Sequence, residues 1–221
     1  MLPRLLQLAS PSLPVGAYAH SEGLEYAVQV GWICDEASAE RWISGLLHAT
    51  IGRLDIPMFG RLLNAWHTEA DACEEATTLS AWLLANRETL ELRTADHGMG
   101  CALARVLESL GVHEAAAWRH SPATTYAAML ALGCARFHIS PQDGATALAW
   151  SWAENQVTAA IKLVPLGQSA GQRLLFKLGD DLPSICAEGL ARDPETIGGA
   201  AYGLAIASSR HETQHTRLFR S

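Results

Sequence analysis

Three dipeptides punctuate this chain most sharply: Ser121-Pro122, Ser140-Pro141 and Asp193-Pro194. Each puts a helix-capping side chain directly before a proline. The first helical position tolerates proline because its N–H would be unpaired there in any case. These starts predict helices near 122–138, 141–163 and 194–217. Asp35 can cap a further helix that carries Trp42, Ile43, Leu46, Leu47 and Ile51 on one stripe, with Pro57 expected to end or kink it. A helical stretch from about 76 to 109 shows Leu79, Leu83, Leu90, Leu103, Val106 and Leu107, and is expected to be interrupted at Gly98 and Gly100. Only residues 160–166, AIKLVPL, have the character of a strand.

Composition agrees with the punctuation. Ala and Leu make up nearly a third of the residues while Val and Ile are sparse, a balance that follows helix propensity and disfavours a large sheet. Hydrophobic residues are 49% of the 221, enough for a substantial core. No fixed repeat, low-complexity tract or linker interrupts the chain. The expected fold is all-α, a single helical-bundle-like domain over 1–221 with roughly eight to ten helices, flanked by an N-terminal loop at 1–20 and a C-terminal tail at 211–221.

Several function classes recede on the same grounds. The formal charge of −7 disfavours a sequence-independent nucleic-acid binder, which needs a basic face. The five cysteines, at 34, 73, 101, 134 and 186, are odd in number, widely spaced and free of C-x-x-C, which fits reduced thiols. No run approaches the roughly 18 apolar residues of a membrane span. The first residues, MLPRLLQLASPSLPVG, hold an apolar run too short for a signal-peptide core. A cytoplasmic protein that binds neither membrane nor nucleic acid is expected.

Two local patterns suggest catalysis. His211-Glu212-Thr213-Gln214-His215 is an H-E-x-x-H, which on a helix puts two imidazoles one turn apart beside a carboxylate, as in zinc hydrolases. The six residues that follow add no His, Cys, Asp or Glu as a third ligand. Gly167-Gln168-Ser169-Ala170-Gly171 matches G-x-S-x-G, and Asp193 and His211 follow in the order of a hydrolase triad. A nucleophile elbow needs a parallel sheet behind it, however, and the preceding 160 residues read as helix. A Gly-bounded turn between two helices needs the same residues.

Three segments exceed what ordinary helix chemistry requires. Residues 10–25, SPSLPVGAYAHSEGLE, take a turning path forced by two prolines and a glycine before a helix expected to begin near Ser21. Residues 155–175, NQVTAAIKLVPLGQSAGQRLL, carry Lys162 as their only charge before Arg173 and read as largely buried surface. The end, RHETQHTRLFRS, sets Leu218 and Phe219 among Arg210, Arg217 and Arg220, an apolar pair that must dock somewhere. Together, in this order and over essentially the whole chain, the three segments resemble the urease accessory protein family UreF.

That resemblance implies an all-α homodimer without catalytic activity of its own. It implies a scaffold that bridges the accessory partner UreD (also called UreH) and the GTPase UreG during GTP-dependent nickel delivery to apo-urease. It implies that nickel is handled by the complex, and no metal or cofactor site is assigned to the chain itself. Residues 1–20 and 211–221 become docking segments, with Tyr18, Ser21, Glu22, Glu25, Arg210, Arg217, Leu218 and Phe219 as partner-binding residues. Arg217 becomes the residue that anchors the tail, with Tyr18 as its acceptor, and Lys162 a contact for an acidic patch on UreG. The alternative from the residues alone is a zinc-dependent hydrolase using His211, Glu212 and His215.

Overall fold

In the computed structural model, which describes residues 2–68 and 72–221, ten α-helices, three 3₁₀ segments and one π-helix account for all regular structure among the described residues. The helices are α1 Leu2–Leu8, α2 Leu24–Gln29, α3 Glu36–Leu46, α4 Ile56–His67, α5 Ala72–Ala85, α6 Leu90–Ser109, α7 Tyr126–Arg136, α8 Pro141–Leu163, α9 Gln168–Leu190 and α10 Tyr202–His211. The all-α expectation holds. The strand-like run 160–166 is the last turn of α8 followed by extended residues, and no strand occurs among the described residues.

The long hairpin of α8 and α9 forms one wall, against which α4 packs, with α7 between α4 and α6. One continuous core runs through them, from Leu8 and Leu24 through Ile43, Phe59, Leu62, Leu103 and Met129 to Leu174 and Leu182. In the first turn of α9 a Cβ on Gly171 would press on the end of the Ile161 side chain of α8, so glycine lets the two helices of the hairpin approach closely here.

The three proline-marked starts have three fates. Ser140 caps α8 as expected, its hydroxyl accepting from Asp143 N at 3.1 Å. At Ser121-Pro122 the helix begins later, because Thr125 is the better-placed cap and its side chain accepts from Ala128 N. Asp193-Pro194 yields only a 3₁₀ turn, Pro194–Thr196, before an extended run that leads to α10. The predicted helix 194–217 is therefore corrected to Tyr202–His211, and the residues beyond it form an irregular tail.

Pro57 does not end its helix. The α3 pattern passes into a π-helix, Leu47–Asp55, and resumes as α4 with proline in the first turn. Proline has no N–H, so the carbonyl of Arg53, four residues earlier, lacks its usual donor. Gly198 N supplies one at 3.1 Å. Gly199 follows so closely against the Ala49 carbonyl that any side chain there would collide. The break in 194–217 and the wide turn at 47–55 are thus two halves of one contact.

Residues 76–109 form two helices, α5 and α6, parted at 86–89 with Thr89 as the new cap, its hydroxyl accepting from Leu92 N at 3.2 Å. The break lies before the glycines. Gly98 and Gly100 sit inside α6, and a Cβ on Gly100 would lie 2.5 Å from the Thr125 carbonyl carbon. Gly100 is there for the close approach of α6 and α7, not to interrupt a helix. The N-terminal loop expected at 1–20 holds α1 and a 3₁₀ turn at Ala17–Ala19. The helix expected from Ser21 starts at Leu24, since Glu22 (φ +52°) and Gly23 (φ +81°) are left-handed and cannot extend it.

Candidate docking site

The tail after α10 is tied back to the N-terminal run. Arg220 N donates to Ala19 O at 2.8 Å, and the Ser221 carbonyl accepts from Ser21 N at 2.5 Å and Glu22 N at 3.0 Å. His20 Nδ1 lies 2.7 Å from the Ser221 hydroxyl. Burial, and then the nearby Arg220 charge, hold the His20 imidazole below its ordinary pKa. Ser21 is buried, and its hydroxyl accepts from Glu25 N at 3.3 Å.

Glu25, on α2, is the hub of this strap. One carboxylate oxygen accepts from Leu218 N at 2.6 Å, the other from Phe219 N at 2.9 Å. The second oxygen also lies 3.2 Å from His211 Nε2. Across the ring, His211 Nδ1 lies 2.8 Å from Glu91 Oε2, and the other oxygen of Glu91 accepts from Arg217 Nη1 at 2.9 Å. His211 has no solvent exposure at all. Two glutamates from α2 and α6 therefore grip one histidine and, beyond it, the backbone and the arginine of the tail.

The turn beneath the strap is read from inside by one face of α8. Trp152 Nε1 donates to Glu22 Oε2 at 2.7 Å, Asn155 Nδ2 to His20 O at 2.9 Å, and Gln156 Nε2 to Ser21 O at 3.3 Å. Positions 152, 155 and 156 share a helix face by their spacing. Burial raises the Glu22 carboxyl above its ordinary pKa, against the Trp152 bond and the Arg87 charge that lower it. A cavity of about 100 Å³ lies under the turn, lined by Glu22, Arg87, Asp96, Tyr126, Trp152 and Asn155. In its wall Arg87 bridges two buried carboxylates, Nη2 and Nη1 to Asp55 at 2.5 and 3.2 Å and Nε to Asp96 at 2.9 Å. Burial opposes the Arg87 charge, but Asp55 and Asp96 more than offset it and hold the guanidinium well above its ordinary pKa. Burial likewise pushes the Tyr126 phenol up to about 12.

The expected residues thus separate by role. Ser21, Glu22, Glu25 and Phe219 are drawn inward to hold the strap, whereas Tyr18 and Leu218 are 71% and 64% exposed. Arg210 and Lys162 are also exposed, and the Lys162 ammonium stands 5.5 Å from the centre of the Phe219 ring. Arg217 does not reach Tyr18: its partner is Glu91, and this corrects the expected Arg217–Tyr18 pair. Sequence reading missed Glu91, Asp55, Arg87 and Asp96. The available signal was periodicity, since Asp96 shares a buried stripe with Leu92, Gly100 and Leu103. A charge on a core stripe needs a buried partner.

Neither catalytic pattern has its geometry. α10 ends at His211, so His215 falls in the irregular tail and is not one helical turn away. Both His211 nitrogens face carboxylates on opposite edges of the ring, and among the described residues no group of three His, Cys, Asp or Glu could hold a metal ion. Ser169 opens the first turn of α9 after a helix, and Asp193 spends its carboxylate on Glu195 N at 2.9 Å.

The fold and this site define an all-α protein whose terminal strap is fastened to a helical body by glutamates. Comparison with known proteins gives the class a family. The family model described as UreF matches residues 33–179. A urease accessory protein UreF of Alkalilimnicola ehrlichii is 48% identical over 218 residues, covering 99% of this chain and 95% of that relative. Those of Teredinibacter turnerae and Dechloromonas aromatica are 44% and 46% identical, covering 98% and 100% of this chain and 97% of each relative. The chain belongs to the UreF family of urease accessory proteins.

Proposed function

We propose that this chain is a non-catalytic, homodimeric scaffold that bridges UreD/UreH and the GTPase UreG in the cytoplasm, making nickel insertion into apo-urease conditional on GTP turnover. Its contribution is a coupling free energy between partner sites. The observation that carries the reading is the strap. Four inward residues fix residues 217–221 in one path, and the exposed Tyr18 and Leu218 flank its seam with the N-terminal run. Exposed aromatic and aliphatic side chains on a rigid backbone are what a partner's pocket takes up. UreD/UreH is assigned to this seam. Lys162, exposed on α8 and stacked on Phe219, is assigned to an acidic patch on UreG, with Arg210 at the rim. Among the described residues no helix is long and apolar enough to cross a membrane, which fits a role among other proteins.

Co-purification with UreD/UreH and UreG tests the assignment. Leu218→Asp should lose UreD/UreH and leave the helical fold intact, because the side chain is exposed. Lys162→Ala should weaken UreG recruitment more than UreD/UreH recruitment. Full recruitment of both partners by both variants would remove these residues from the site.

A further inference from the structure

The cavity under the turn carries more negative charge than positive. Three inward carboxylates stand in its wall, Glu22, Asp55 and Asp96, against one guanidinium, Arg87. Arg87 is shared between Asp55 and Asp96, so its charge is already spent. Glu22 has no basic partner among the described residues. Its Oε2 accepts from Trp152 Nε1, and its Oε1 takes no hydrogen bond from them. Asn155 supplies a second acceptor in the same wall. Its Nδ2 donates to His20 O, which fixes the amide and leaves Oδ1 without a donor among the described residues. Much of the remaining lining is apolar, with Leu54, Leu92 and Leu148.

These groups select a ligand by charge, hydrogen bonding and size. An anion would meet three carboxylates and a guanidinium that is already engaged. A neutral polar molecule would leave the Glu22 charge without a counter-charge. A cavity of about 150 Å³ takes up benzene, with six non-hydrogen atoms, so about 100 Å³ suits roughly four. We propose that the cavity binds a small primary ammonium carried on a short alkyl chain. The ammonium has three donors and no acceptor. One makes a charge-assisted bond to Glu22 Oε1 and another a bond to Asn155 Oδ1, while the chain lies against the leucines. Glu88 also lines the cavity and is exposed, which sets a further negative charge where the wall meets the surface. The turn above the cavity donates Ser21 N and Glu22 N to the Ser221 carbonyl, so the ligand sits beneath the seam of the strap.

The test uses the full chain without partners, with propylammonium chloride as the probe at about pH 8, where an alkylammonium is still charged. The indole N–H signal of Trp152, assigned by its loss in Trp152→Phe, is followed by NMR because that group is bonded to Glu22. The signal should shift and saturate, with a dissociation constant in roughly the millimolar range for so small a ligand. Sodium chloride at the same ionic strength and sodium propionate should give no saturable shift, and n-propanol should bind at least about tenfold more weakly. Glu22→Gln keeps the shape of the side chain and an oxygen for Trp152, and should weaken propylammonium by at least about tenfold. Ala127→Val adds two methyl groups to the lining and gives a second arm if Glu22→Gln does not fold; it should also abolish binding. No saturable shift with propylammonium would overturn the proposal. So would equal saturation by n-propanol or sodium chloride, or wild-type affinity in both variants. The site does not depend on the scaffold reading, so this titration and co-purification with UreD/UreH and UreG are judged apart.

Discussion

Two places in this molecule set one basic side chain between two carboxylates. Under the turn, Arg87 joins Asp55 of the π-helix to Asp96 of α6. At the strap, His211 of α10 joins Glu25 of α2 to Glu91 of α6. The difference is the basic group. A guanidinium is charged at every accessible pH and offers five donors in a fixed fork, so the inner bridge is permanent. An imidazole has two ring nitrogens on opposite edges, so the outer bridge gives each glutamate a single contact. The permanent bridge ties the helices that frame the body. The outer one sits against the C-terminal tail, whose Arg217 and backbone share the same two glutamates.

The sharpest way to break the comparison is to remove each basic group. Arg87→Met leaves Asp55 and Asp96 buried without a partner and should cost about 3–5 kcal/mol in denaturant unfolding, with little dependence on pH between 6 and 9. His211→Leu takes one contact from Glu25 and from Glu91, but each keeps another partner, Leu218 N and Phe219 N for Glu25 and Arg217 for Glu91. A smaller loss of about 1–3 kcal/mol is expected, accompanied by exposure of residues 212–221 to proteolysis. Equal losses for the two variants would erase the distinction between an inner and an outer bridge.

His20 sharpens it on the acid side. Its folded pKa is below the ordinary value, so the unfolded chain takes up a proton that the folded chain refuses. Its contribution is fully present above the ordinary histidine range and is lost as pH falls from there toward the folded value. His20→Gln should flatten the loss of stability as pH falls below about 6.5, measured as the denaturant midpoint against pH. The smallest effect on stability is expected from Leu218→Asp, within about 0.5 kcal/mol, because the side chain is exposed. Loss of UreD/UreH recruitment by that variant would then report docking and not folding.

Legibility in the sequence followed the range of the interaction. Ser140-Pro141 announced α8 correctly because the cap, the proline and the first turn are all within four residues. Ser121-Pro122 and Asp193-Pro194 carry the same local signal and failed. At the first, Thr125 caps α7 four residues later, beside the close approach of Gly100. At the second, Gly198 is needed elsewhere, as the donor that Pro57 cannot be. The site divides in the same way. That the run 10–25 and the tail matter was legible from prolines, glycines and an apolar pair among arginines. That Glu25 holds the tail, and that His211 is buried between Glu25 and Glu91, depends on residues more than a hundred positions apart.

By itself the sequence determined the all-α class, the boundaries of α8, the UreF family resemblance and the segments that carry its signature. Those are properties of propensity, capping and local pattern, which act within a few residues. Only the tertiary structure decided which carboxylate meets which cation. H-E-x-x-H looked like half a metal site because spacing along the chain brought its two histidines together. In the folded protein the helix ends at the first of them, and packing gives that histidine two glutamates from other helices. Burial made the pairing obligatory, since a charge withdrawn from water must find its partner wherever the fold has placed one.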